Sequence, residues 1–319
     1  MKLPLCWTIT GNLPGTKSQV IGLAEAIGFP TIHKTCTRRC PWGWLGVSWG
    51  NPLKQLTSDS DLLTPPWPDI VISCGRRVAP LALAIKKYSK EKIFCLHIQD
   101  PIFRHSDFDL IVAPEHDNLT GPNVISTKGA LHKVTKDKVN EGVKAYASLF
   151  KGLPHPYNVV LLGGSTNRYK MTREAVDELI ANILRIRDIT KGSVLVTPSF
   201  RTPFREVFRN ILNSEPNIFF AEIEKINHYF AMLGLADTIF VTDDSVNMLC
   251  EACFTGKPTY VLPLLGHQRA KSLNFIQELV EENIVRIFNN KVETWEYTPF
   301  NDTQKIAGIV REKFGYKRS

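Results

Sequence analysis

Thr238-Ile239-Phe240-Val241-Thr242-Asp243-Asp244-Ser245-Val246-Asn247-Met248-Leu249-Cys250-Glu251-Ala252-Cys253-Phe254-Thr255-Gly256-Lys257-Pro258-Thr259-Tyr260-Val261-Leu262 contains one complete structural unit. Thr238–Thr242 is a short run of β-branched and aromatic residues, which reads as a buried strand. Asp243-Asp244-Ser245 is turn and helix-start chemistry, so one of the three is expected to cap the helix that follows. Val246, Leu249, Cys250 and Cys253 recur at i, i+3, i+4 and i+7, one face of a helix. Gly256 suits the left-handed residue that ends it, and Pro258–Leu262 returns as a second strand. Strands joined through a helix lie parallel, and a parallel sheet is covered on both faces.

The same order repeats on either side. Asn158–Leu162 reads as a strand, Gly163-Gly164 as its turn, and Val176, Leu179, Ile180, Ile183 and Leu184 as the next helix face. Ser193–Thr197 is a strand, and Ser199-Phe200-Arg201-Thr202-Pro203 opens a helix in which Thr202 is the expected cap and Pro203 the first residue. Its apolar stripe is Phe204, Val207, Phe208, Ile211 and Leu212. Earlier in the chain come Leu5–Thr10, a loop with Gly11, Pro14 and Gly15, and a helix marked by Val20, Leu23, Ala24 and Ile27 and closed by Gly28. Asp69–Ser73 leads through Gly75-Arg76-Arg77 into a helix with Val78, Leu81, Ala82 and Ile85. Ile93–Ile98 and Asp109–Ala113 are two further strands. Gly152-Leu153-Pro154-His155-Pro156 is a short stiff linker. The fold expected is α/β: two doubly wound, Rossmann-like parallel-sheet domains, 1–153 and 157–302, facing a cleft. The helix at the chain end, Thr303 to Phe314 within 303–319, is expected to return to the first half through Ile306, Ile309 and Val310.

Bulk properties agree with two cores. The chain has 319 residues, 43% hydrophobic and 22% charged, ordinary globular values. A net charge of +8 favours anionic partners. Nucleic acid is set aside because no nucleic-acid motif accompanies the charge. Seven cysteines, mostly inside apolar runs, read as buried thiols. Cys250 and Cys253 have metal-ligand spacing but no second pair, as do Cys36 and Cys40, so no metal is expected. No apolar run is long enough to span a membrane, and the first ten residues read as a strand, not a signal peptide. A cytoplasmic protein is expected.

Several stretches together resemble the bacterial and plant "elongated mitochondria" fission-factor family. They are Asp100-Pro101, Phe108 through Asp117, Gly121-Pro122-Asn123-Val124, Gly129-Ala130-Leu131-His132, Ser199-Phe200-Arg201-Thr202-Pro203, Val241 through Met248, Glu251-Ala252-Cys253 and Thr255-Gly256-Lys257-Pro258. The resemblance implies a type B glycosyltransferase (GT-B) plan and a nucleotide-sugar ligand. It equally implies an adaptor role, since a plant member serves a dynamin-like GTPase in mitochondrial fission. The chain departs from the family in having Phe200 where a second arginine is usual, and Asn227-His228-Tyr229 where relatives have Asn-Pro-Tyr. Ser18 stands where the lipid-linked N-acetylglucosamine transferase of cell-wall synthesis has a histidine.

Candidate site residues follow, each beside its plainer explanation. Gly15 belongs to a loop that could cradle phosphate on backbone N–H groups or be an ordinary turn. Gly163 and Gly164 are the equivalent turn of the second half. Arg76, Arg77 and Arg201 end predicted strands, where a guanidinium pairs phosphate oxygens or joins a surface ion pair. Asp243 and Ser245 cap a helix, with ligand contact additional. Glu251 is placed by the GT-B resemblance to accept the ribose hydroxyls, and Ser199, Asn227, Tyr229 and Met248 join the binding set on the same resemblance. Glu115-His116-Asp117 is the acid/base cluster of the first half, either the catalytic group that takes the acceptor's proton or a hydrogen-bonded turn. His132 and His228 are read as structural. Trp42, Trp44, Trp49 and Trp67 follow Arg38-Arg39, a basic and aromatic segment that suits an anionic membrane surface or a lipid-linked acceptor, or else packs on the first half. The reading is a glycosyltransferase-like protein that binds a nucleoside-diphosphate sugar in its second half and an acceptor in its first, needing no cofactor. The alternative is a non-catalytic interaction protein on the same fold.

Overall fold

The structure is a computed structural model that describes residues 3–42, 50–90, 92–166, 169–224, 226–268 and 270–316. The chain divides into two units, Met1–Lys133 with Asn301–Ser319, and Val134–Phe300.

The first unit holds strands β1 (Cys6–Thr10), β2 (Thr31–Thr35), β3 (Ile70–Cys74), β4 (Phe94–Ile98), β5 (Leu110–Pro114) and β6 (Val124–Thr127) in one sheet of order β2-β1-β3-β4-β5-β6, every pair parallel. Helix α1 (Pro14–Ile27) follows β1, and α2 (Ala79–Tyr88) follows β3. Alternate residues of β3 go to opposite faces, as a strand's period of two requires. Ile70, Ile72 and Cys74 pack with α1, whereas Val71 packs with α2. The final helix, α9 (Asp302–Lys313), returns to this unit and buries Ile306, Ala307 and Val310 among Leu23, Ala24 and Ile27 of α1. Gly28 closes α1 at φ 82°, its N–H on Ala24 O.

The second unit begins with α3 (Lys136–Phe150) and continues β7 (Tyr157–Leu162), α4 (Arg173–Thr190), β8 (Ser193–Pro198), α5 (Arg205–Leu212), β9 (Ile218–Phe220), α6 (Tyr229–Leu235), β10 (Thr238–Thr242), α7 (Val246–Cys253), β11 (Thr259–Leu262), α8 (Ala270–Glu281) and β12 (Val285–Ile287). Its sheet is again wholly parallel, in the order β12-β11-β10-β7-β8-β9. Helix α3 lies before the linker in sequence, but it packs against α6, and Phe150 meets Phe219 edge-on at 5.1 Å, so it counts with the second unit.

Two local expectations are corrected. Helix α5 starts at Arg205, after Phe204 in the left-handed region (φ 53°), not at Pro203. The Thr202 hydroxyl caps nothing there: it accepts from Ser199 N at 2.8 Å and donates to Leu162 O at 3.2 Å, drawn toward the end of β7. At α7, Ser245 occupies the cap position but its side chain makes no capping hydrogen bond. Asp244 has a different task, set by the turn beside it.

Candidate functional site

In the second unit the chain runs outward from β7 to β9, then restarts at β10 on the other side of β7 and runs to β12. The adjacent strands β7 and β10 are thus the point where strand order reverses, and their carboxyl ends are where doubly wound sheets form a crevice for ligands. Those ends carry Gly163-Gly164 and Asp243-Asp244-Ser245.

Asp244 ties this edge together. Its buried carboxylate accepts from Gly164 N at 2.9 Å, from Thr242 Oγ1 at 2.7 Å and from Arg201 Nη2 at 3.1 Å. Arg201 also donates to Gly164 O at 2.9 Å and Ser165 O at 3.2 Å, and Ser199 Oγ donates to Gly163 O at 2.8 Å. A Cβ on Gly163 would lie 2.0 Å from Asp244 Oδ1, and one on Gly164 would lie 2.2 Å from Arg201 O. The two glycines therefore make room for the protein's own carboxylate and backbone. Gly163 N is bonded to Thr242 Oγ1 at 2.8 Å, so both glycine amides have internal partners.

Beside this network α7 begins at the β10 edge without a cap from the Ser245 side chain, and the positive end of its dipole lies there. Glu251, six residues beyond Ser245, is buried on α7 and accepts a hydrogen bond from the Tyr229 hydroxyl. Burial, reinforced by Glu251, holds the Tyr229 phenol well above its ordinary range. Asn227 is exposed and fixes the start of α6 by accepting from Tyr229 N at 3.0 Å. Met248 is half-buried on α7.

His267 is the residue of this edge that sequence reasoning missed. Leu264–His267 is a turn closed by His267 N on Leu264 O at 3.0 Å, with Gly266 at φ 76°, the left-handed third position that favours glycine. The turn places His267 Nδ1 3.0 Å from Asp243 Oδ1. Burial pushes the Asp243 carboxyl up to about 6, against the opposing pull of His267 and of the Leu264 backbone. Gly266-His267, just after a strand, was the available signal.

In the first unit the reversal lies between β1 and β3. Gly15 sits in the first turn of α1, which Leu13 leaves uncapped, and Arg76 and Arg77 are exposed just after β3. These two loops adjoin: a Cβ on Gly75 would stand 3.6 Å from the Thr16 methyl. Glu115-His116-Asp117 forms a single 3₁₀ turn after β5, closed by Asn118 N on Glu115 O at 2.9 Å, and β5 is two strands removed from β3. The expected acid/base cluster thus ends a buried strand, as its sequence implied. Of the basic and aromatic segment, Trp44 and Trp49 lie outside the described residues. Arg38 is buried, donating to Gln55 Oε1 at 3.0 Å, and Trp67 packs on Trp7 at 5.9 Å. Arg39 remains exposed and Trp42 half-buried. Among the described residues no helix is long and apolar enough to cross a membrane, and no group of three metal-ligating side chains occurs. Cys250 and Cys253 are buried thiols outside any disulfide.

The family described as mitochondrial fission ELM1 matches residues 14–314. A mitochondrial fission protein ELM1 of Arabidopsis thaliana is 30% identical over 275 residues, which is 77% of this chain and 64% of that protein. The chain thus spans less than two thirds of the plant relative's length. An uncharacterized protein of Rickettsia prowazekii is 27% identical over 285 residues, 76% of this chain and 79% of the relative. Among solved structures, UDP-GlcNAc 2-epimerase of Methanocaldococcus jannaschii in complex with UDP-GlcNAc and UDP aligns with a TM-score of 0.59 at 14% identity, covering 98% of this chain and 99% of that one. MnaA of S. aureus with UDP gives 0.53 at 13%, covering 99% and 98%. The spinosyn forosaminyltransferase SpnP gives 0.52 at 11%, covering 99% and 95%. At such identities the likeness is one of fold: two Rossmann-like units of the GT-B plan.

Proposed function

The chain belongs to the mitochondrial fission ELM1 family, and from that premise we propose that its second unit binds a nucleoside-diphosphate sugar at the β7–β10 edge. The observation that carries this reading is the conjunction, where strand order reverses, of an uncapped helix N-terminus with a buried carboxylate one and a half turns further along the same helix. The diphosphate belongs at the first turn of α7 with Ser245, where N–H groups and the helix dipole favour an anion. The ribose hydroxyls belong at Glu251, a two-oxygen acceptor already oriented by Tyr229. Gly163 and Gly164 contribute close packing and not amide donors, since both N–H groups have partners. The UDP-GlcNAc and UDP of the epimerase structure and the UDP of the MnaA structure support the ligand class. The acceptor is assigned to the first unit, where Glu115, His116 and Asp117 are the groups available to take a hydroxyl proton.

A second reading, an interaction protein that retains the fold, draws on one observation: Arg201, the expected phosphate ligand, spends its guanidinium on Asp244 and on two backbone carbonyls. A thermal-shift screen of nucleotides and nucleotide-sugars separates the two. A ligand at about 100 times its dissociation constant should stabilise by about 2.7 kcal/mol. Silence across the screen would overturn the nucleotide site in favour of the interaction protein.

A further inference from the structure

Asp243 and His267 form a buried acid–base pair at the edge where the diphosphate is placed, their side chains 5% and 1% exposed. Nδ1 and Oδ1 are in ion-pair contact at 3.0 Å, and neither imidazole nitrogen nor that carboxylate oxygen completes a well-formed hydrogen bond among the described residues. A buried polar atom whose hydrogen bonds are unmade is costly, so the pair is poorly satisfied as it stands. The charges around the pair do not relieve it. Asp244 is neutralised by Arg201, and Tyr169, whose ring meets His267 edge-on at 5.1 Å, gives its hydroxyl to Leu265 O at 3.2 Å. Burial, with Asp243 and Asp244 adding to it, pushes the Tyr169 phenol up to about 12, so it stays neutral near pH 7. What would compensate the pair is an anion, beside which both partners can be protonated.

We propose that Asp243 and His267 are the charge-reading part of this site: the pair takes up one proton from solvent when the diphosphate of a nucleotide-sugar is held at the N-terminus of α7. This rests on the nucleotide reading above. The proton count is simple. The free pair holds one proton, and the occupied pair holds two, one on each partner. Burial that raises the Asp243 carboxyl favours its part in this uptake. Because the uptake stabilises the complex, binding tightens as pH falls.

The probe is UDP-GlcNAc, whose diphosphate is esterified at both ends and does not titrate between pH 6 and pH 8. Calorimetric titrations at pH 6, 7 and 8, in two buffers of different ionisation enthalpy, are run on wild type, His267→Gln and Asp243→Asn. The expected wild-type result is affinity rising toward pH 6 by up to about tenfold per pH unit, the limit for one proton, with buffer-dependent heat that reports uptake. His267→Gln should bind more weakly with no pH dependence and no uptake. Wild-type binding without pH dependence, or a His267→Gln variant that keeps it, overturns the inference and leaves the nucleotide site standing. No wild-type binding at any pH overturns both. If His267→Gln melts early, Asp243→Asn and the wild-type buffer dependence decide.

Discussion

The hydroxyl of Tyr229 donates to Oε2 of Glu251, so the residue that starts α6 orients the one carboxylate of α7. A ligand ribose would meet an acceptor whose rotamer is already chosen. Replacing Glu251 with Ala should weaken nucleotide binding by about 1.5–3 kcal/mol, the worth of a charged hydrogen-bonding partner. Tyr229→Phe keeps the carboxylate and should cost less. Calorimetry on both variants checks the order; equal affinity in wild type and Glu251→Ala would remove Glu251 from the site.

At Gly163 the neighbour is fixed. An added Cβ falls 2.0 Å from Asp244 Oδ1, and that carboxylate is anchored by Thr242, Gly164 and Arg201. Gly163→Ala should therefore destabilise by roughly 1–3 kcal/mol, as overpacking does. Urea denaturation gives the figure. A stability loss under a few tenths of a kcal/mol would mean that the network yields.

What could be read in advance follows the sheet's own geometry. The eight strands legible as apolar runs, β1, β3, β4, β5, β7, β8, β10 and β11, are all interior strands. The four that were not, β2, β6, β9 and β12, are the edge strands of the two sheets. An edge strand is covered less and need not be apolar: β2 reads Thr-Ile-His-Lys-Thr, and β9 and β12 are three residues each. The site shows the same limit. Glu251 shares a short helix with Ser245, and that spacing is visible in sequence. Asp244 was expected to act locally, but its partners Gly164 and Arg201 lie 80 and 43 positions away. His267 needed the turn at Gly266 to bring it to Asp243.

Acid should loosen the first unit through His97. This residue is buried beside Ser73, Oγ to Nδ1 at 2.8 Å, and burial drives its pKa down to about 3. An unfolded histidine titrates near 6.5. A base whose folded pKa is depressed contributes stability that is present above about pH 6.5 and lost as pH falls toward 3. The loss should approach about 1.4 kcal/mol per pH unit below pH 6. Denaturation of wild type and His97→Asn across pH 4 to 7 measures it, and parallel curves for the two proteins would count against His97 as the cause.

Of the described residues of the basic and aromatic segment, Arg39 is exposed and Trp42 half-buried while Arg38 is buried, so Arg39 and Trp42 are the two through which membrane association is tested. Co-sedimentation with phosphatidylserine vesicles should be released by added salt, because screened charges no longer attract. The double variant Arg39→Glu, Trp42→Ala should lose it without a change in melting temperature. Identical pelleting of variant and wild type would exclude this face.

The return of α9 has a consequence for synthesis. Ile306, Ala307 and Val310 are fully buried in the core that β1 and α1 begin, so that core stays open until α9 has been synthesised. The second unit, being one uninterrupted segment, can close while the chain is still growing. Domains ordinarily fold in the order in which they are made. Here the unit that is translated first is the one that finishes last, and until α9 arrives its α1 face is the apolar surface a chaperone would have to shield.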